Sequence, residues 1–80
     1  MARTLHSPRQ KAMRELIKSK RAERGLTQAA LAKRVGRYQS FIADLERGER
    51  RLDLVEFIDF AEALGFDPGS AIKKIAAVKR

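Results

Sequence analysis

Leu26-Thr27-Gln28-Ala29-Ala30-Leu31-Ala32-Lys33-Arg34-Val35-Gly36, followed two residues later by Gln39-Ser40-Phe41-Ile42-Ala43-Asp44-Leu45-Glu46-Arg47-Gly48, is the stretch on which the fold turns. Thr27 is placed to cap a helix running from Gln28 to about Val35, with Leu31, Ala32 and Val35 on its inner side. Gly36 stands directly after that helix and two residues before another helix-compatible segment, which marks a tight left-handed turn between two short helices. The second helix covers about Gln39 to Arg47 and stops at Gly48. At about 100° per residue, Ile42 and Leu45 share the side that faces a core. The same geometry gathers Gln39, Ser40, Ala43, Asp44 and Arg47 on the opposite side, polar groups of short or moderate length around one alanine.

Upstream, Ser7-Pro8-Arg9-Gln10 opens a helix to about Arg24: Ser7 caps, Pro8 suits the first helical position and Gln10 fits a capping box. Met13, Leu16 and Ile17 form its apolar stripe, and Gly25 supplies the stop. Downstream, Asp53 with Glu56 forms a capping box flanked by a Leu52 to Phe57 staple, and starts a helix that ends at Gly65. The stripe expected there is Leu54, Phe57, Ile58, Ala61 and Leu64. Asp67-Pro68 starts a last helix through about Val78, with Ala71, Ile72, Ile75 and Ala76 on one face. No strand signal and no internal repeat appears. The reading is an all-α domain of five helices over residues 7–80, preceded by a flexible arm at 1–6.

Eighty residues leave room for one core and no second. Without cysteine there is no disulfide framework and no thiolate metal site, which fits a reducing, cytoplasmic setting. No apolar run approaches a membrane span, and the polar start Met1-Ala2-Arg3-Thr4 lacks the apolar stretch of a signal peptide. Lys and Arg exceed Asp and Glu by 18 to 10, a formal charge of +8 that is unevenly spread. Residues 1–51 net +9, residues 52–70 hold five acids and no base, and residues 71–80 add four bases. A chain basic in one part and acidic in the next points to one face meant for a polyanion, nucleic acid before an anionic membrane.

The two-helix stretch resembles the Cro/CI-type (XRE) helix-turn-helix family, over roughly Leu16 to Phe66. It combines a small Ala32 where helices cross, Gly36 at the turn, and Ile42 with Leu45 locking the second helix to the first. Glu49-Arg50-Arg51-Leu52-Asp53 and Ala61-Glu62-Ala63-Leu64-Gly65 also look like that family. The resemblance implies a lambda-repressor-like domain whose third helix enters the DNA major groove while the second lies across the backbone. Gln39 would then read bases, an amide that both donates and accepts against adenine, followed by Ser40 and Asp44, with Ala43 against a thymine methyl. Gln28, at a helix start that favours anions, would contact phosphate with Lys33, Arg37, Arg47, Arg50 and Arg51, and less firmly Arg34. Arg21 and Glu46 stand where the family often pairs the first helix with the recognition helix.

Three positions depart from the family pattern. Arg37 replaces a commonly buried valine or isoleucine, so its charge is expected to point outward. Tyr38 brings no capping oxygen, and Ala30 replaces the acid that would complete a box with Thr27. Phe41 is expected to pack over the loop after the third helix and not on a base. Val55, Ile72, Ile75 and Ala76 are expected to form a symmetric dimer face, with operator half-sites roughly 34 Å apart. The function implied is a sequence-specific transcriptional regulator, with repression the favoured sign and neither cofactor, metal nor small-molecule ligand required. Two rivals stand beside it. One is an antitoxin-like protein antagonist, which an exposed apolar groove would favour. The other is a hydrolase using Asp53, Glu56, Asp59 and Glu62, whose three-residue spacing opposite an apolar stripe reads instead as a solvated helix face. His6, the only histidine, has no partner placed to orient it.

Overall fold

The computed structural model describes residues 6–79, so all but His6 of the arm expected at 1–6 lies outside the described residues. The described residues form five helices: α1 (Pro8–Glu23), α2 (Gln28–Val35), α3 (Gln39–Glu46), α4 (Leu54–Leu64) and α5 (Pro68–Ala76). Three ends fall short of the sequence reading. The first helix stops at Glu23 with Arg24 as its cap, the third at Glu46 with Arg47 as its cap, and the fifth at Ala76 and not near Val78.

Local chemistry explains the starts. Ser7, Thr27, Asp53 and Asp67 each adopt an extended conformation and accept a hydrogen bond from the main-chain N–H three residues on. At Asp53 the box is reciprocal: Glu56 N–H donates to Asp53 Oδ1 at 2.8 Å and Asp53 N–H donates to Glu56 Oε1 at 3.0 Å. Tyr38 occupies the same position before α3 and makes no such bond. Gly36 takes φ 70°, and this positive value lets Arg37 N–H reach back to Ala32 O at 2.8 Å, so α3 starts close against α2.

The core has one centre. Ile17 of α1, Leu31 and Ala32 of α2, Ile42 and Leu45 of α3, and Phe57, Phe60 and Leu64 of α4 converge there, closed by Ala71 of α5. The α4 stripe differs from the expected one. Phe60 is buried and was absent from it, Ile58 is only half-buried, and Leu54 is 62% exposed. The buried set Phe57, Phe60, Ala61 and Leu64 follows the helical three-and-four spacing, whereas Leu54, the first helical residue, overhangs the end of the core. Phe60 is held by Phe41, whose ring centroid stands 6.1 Å away in a stacked arrangement. Phe57 meets Phe66 edge to face at 5.9 Å.

Arginines close the helix ends. Arg9 donates from Nε to Val78 O and from Nη2 to Ala76 O at the end of α5. Arg24 Nε donates to Leu64 O, and Arg34 Nη1 to Ala63 O, both at the end of α4. Each places a cation where unpaired carbonyls and the negative end of the helix dipole collect.

Candidate nucleic-acid interface

The starts of α2 and α3 lie side by side and are joined by their first residues. Gln39 Nε2 donates to Gln28 Oε1 at 2.8 Å, and Gln28 Nε2 donates to Glu46 Oε1 at 2.9 Å. Glu46 in turn accepts from Arg21 twice, Nε to Oε2 at 2.7 Å and Nη2 to Oε1 at 2.9 Å. Arg21 also donates from Nη1 to Leu26 O, which ties the end of α1 to the loop before α2. The two charged side chains are 15% and 5% exposed, so this bidentate pair is largely withdrawn from water and fixes the α3 axis against α1. Burial raises the Glu46 pKa, but hydrogen bonds from Arg21 and Gln28 and the nearby charges of Arg21 and Lys18 outweigh it, leaving the carboxyl below its ordinary range. The hydrogen bond to Glu46 raises the Arg21 pKa further above its usual value.

The structure therefore places Arg21 and Glu46 together as the resemblance implies. It also adds a link that the sequence reading lacked, because Gln28 and Glu46 are eighteen positions apart and no local spacing relates them. The Gln28 side chain is engaged within the protein at both ends. As the first residue of α2, it also stands in a turn whose main-chain N–H groups lack helical partners.

On the outer side of α3, Gln39 and Ser40 are exposed and Ala43 and Asp44 half-buried. Asp44 pairs with Arg47, and Arg47 also reaches Glu49 at 3.3 Å, so the carboxylate on this face is partly neutralised from its own helix end. Lys33, Arg50 and Arg51 are exposed around it. Arg37 is exposed, its charge at the surface and paired there with α4. Its Nη2 lies 2.9 Å from Glu56 Oε2, and its guanidinium stands 5.1 Å from the Phe41 ring. Arg50 covers the same ring at 4.1 Å. Phe41 is thus packed between Phe60 and the loop after α3, as expected, and its ring serves as a platform that positions two cations. Arg34, a weaker phosphate candidate, is turned to the end of α4.

The expected dimer residues divide. Val55 is 67% exposed and Ile72 and Ala76 are exposed, while Ile75 is half-buried and packs on the core. Leu54, missed in the sequence, joins the exposed set. Beside them runs an apolar groove of about 210 Å³ lined by Met13, Leu52, Leu54, Phe57 and Ile72. On α4, Asp59 and Glu62 are exposed and Glu56 serves its cap and Arg37. Among the described residues no three His, Cys, Asp or Glu side chains gather as a metal site, and no helix is long and apolar enough to cross a membrane.

Known proteins share this arrangement. A family model described as a helix-turn-helix domain matches residues 1–71. An uncharacterized HTH-type transcriptional regulator of Sinorhizobium fredii is 39% identical over 57 residues, covering 66% of this chain and 74% of that protein. Among solved structures, an XRE-family like protein from Pseudomonas syringae superposes with a TM-score of 0.82 at 43% identity, over 94% of this chain and 92% of the other. The restriction-modification controller protein C.AhdI from Aeromonas hydrophila gives 0.69 at 28% identity, over 84% and 94%. The clp gene regulator ClgR from Corynebacterium glutamicum, at 0.77 and 23% identity over 88% and 74%, shares the fold. With five helices in this order and the α2–α3 pair hinged at Gly36, the chain belongs to the XRE-type helix-turn-helix family and has its lambda-repressor-like all-α fold.

Proposed function

We propose that this protein is a sequence-specific double-stranded DNA-binding transcriptional regulator, acting as a cytoplasmic homodimeric repressor that controls its own gene among its targets. In this reading α3 enters the major groove, where Gln39, Ser40, Ala43 and Asp44 read base edges. Gln28 at the start of α2, with Lys33, Arg37, Arg47, Arg50 and Arg51, meets phosphates and fixes register. The observation that carries it is the exposed Gln39 amide, held at the first turn of α3 by Gln28 while a buried ion pair sets the helix angle beneath it. A side chain that is both solvent-facing and pre-positioned suits a partner that demands fixed donors and acceptors. The HTH-type transcriptional regulator among its relatives supports the same reading.

Selection from random duplexes tests it. Gln39→Ala and Asp44→Ala are expected to change the preferred sequence, and Lys33→Ala to weaken all sequences alike. Selection that returns no common sequence for the folded protein contradicts the reading.

The groove beside Leu54, Val55 and Ile72 supports the dimer, since a domain this small gains stability by pairing. It also favours a second reading, an antagonist that captures another protein there. The mass in solution separates the two: a dimer at micromolar concentration assigns the groove to a second copy, and a strict monomer with and without DNA leaves it to a different protein.

A further inference from the structure

The arginines that flank α3 differ in what they already hold. Arg37 is paired with Glu56, Arg47 with Asp44 and Glu49, and Arg34 with a carbonyl at the end of α4. Arg50 makes no ion pair or hydrogen bond among the described residues. Its guanidinium stands 4.1 Å from the centre of the Phe41 ring while the residue stays exposed. A guanidinium stacks on an aromatic ring through its face, which leaves the N–H donors along its edge pointing outward. The ring is itself fixed, because Phe41 is half-buried with the buried Phe60 stacked against it at 6.1 Å. Phe41 and Arg50 line one concavity of about 280 Å³ with Tyr38, Ser40 and Asp44, on the outer side of α3. Asp44, the one acid there, is paired with Arg47.

We propose that Phe41 is a positioning residue for DNA binding: its ring holds the unpaired Arg50 guanidinium, donors outward, as the phosphodiester anchor beside the polar face of α3. This rests on α3 being the base-contacting helix. An arginine free in solvent loses rotamer freedom when it clamps a phosphate, and one already held against a ring has lost part of that freedom before DNA arrives. An aromatic face takes no N–H donor from the guanidinium edge, so stacking and phosphate binding coexist. Arg47, by contrast, shares its guanidinium with two carboxylates that compete with phosphate for it. Phe41 thus adds affinity for every duplex and no choice among them, because a phosphate carries no sequence information.

The test uses the full chain and its selected duplex, with affinity measured across a salt series. Arg50→Ala removes a phosphate contact and is expected to weaken binding about tenfold and to reduce the slope of log K against log salt by about 1. Phe41→Leu keeps that charge and an apolar group against Phe60, so affinity is expected to fall roughly threefold to tenfold with the slope unchanged. In the double variant the further loss from Phe41→Leu is expected to vanish, since no guanidinium is left to position. Losses that add, or a Phe41→Leu protein with wild-type affinity, overturn the positioning role. An Arg50→Ala protein with wild-type affinity and slope overturns the anchor. Where Phe41→Leu does not fold, proton NMR of the free wild type decides: the ring current of Phe41 is expected to move the Arg50 side-chain resonances upfield of those of an unstacked arginine. Ordinary shifts there overturn the stacking. The wild-type preference for the selected over a scrambled duplex is measured alongside. Its absence overturns base reading by α3, whereas additive losses with that preference intact overturn only the role of Phe41.

Discussion

At Glu46 a carboxyl almost out of water stays ionised because an arginine, a glutamine amide and a lysine charge together exceed the cost of burial. A group whose folded pKa lies below its unfolded value, about 4.3 for Glu, contributes stability above that value. That contribution is lost as pH falls through the lower folded pKa. Glu46→Gln is therefore expected to flatten the loss of thermal stability on acidification below about pH 4.5, checked by melting curves of both proteins. Glu46→Ala, which strands Arg21, should cost about 3 kcal/mol at neutral pH by urea unfolding. Gly65 shows how far such single positions reach. It holds φ 74°, and a methyl group there would overlap Arg24 Nη2, the side chain that caps α4. Gly65→Ala is expected to cost about 2 kcal/mol, against about 1 for Gly36→Ala, where no neighbour stands within reach. At this scale the sequence was legible where a resemblance supplied the pairing, as for Arg21 with Glu46. It was silent on Gln28 with Glu46 and on Arg9, Arg24 and Arg34 as helix-end partners, because those contacts join residues from 18 to 69 positions apart.

Among the elements, helix starts were the most readable features, since a cap and its acceptor lie within three residues of each other. Ser7, Thr27, Asp53 and Asp67 all perform as their positions imply. The acidic Asp67 carboxyl is held below its usual range by the main-chain N–H and the hydroxyl of Ser70. Helix α3 is the exception, with Tyr38 85% exposed in an extended conformation that a capping side chain would suit. Tyr38→Ser is expected to raise stability by about 1 kcal/mol, seen as a rise in Tm of about 4–8 °C for a domain of this size. Which face of α4 is covered was less legible. Periodicity offers Leu54 and Ile58 as readily as Phe60, and only the neighbours decide: Phe41 reaches Phe60, while Leu54 hangs past the end of the core.

For the whole molecule, net charge proved a coarse guide. Several bases have partners within the protein, Arg37 with Glu56 and Arg9, Arg24 and Arg34 with main-chain carbonyls, so their charges are not simply a free cationic face, and Glu56 of the acidic segment at 52–70 is itself a partner of one of them. The cations around α3 should still make binding salt-dependent, and Lys33→Ala is expected to reduce the slope of log K against log salt by about 1 without altering the preferred sequence. The exposed apolar set beside the groove bears on assembly: Ile72→Asp should leave the fold intact, because that side chain is exposed, and shift a dimer to monomer by sedimentation equilibrium. All of this depends on the small polar face of α3 distinguishing one duplex from another. The direct measurement is the affinity of the folded protein, at one moderate salt concentration, for its selected duplex and for a scrambled duplex of the same composition. A preference of roughly a thousandfold or more is predicted; equal affinity for the two would contradict it.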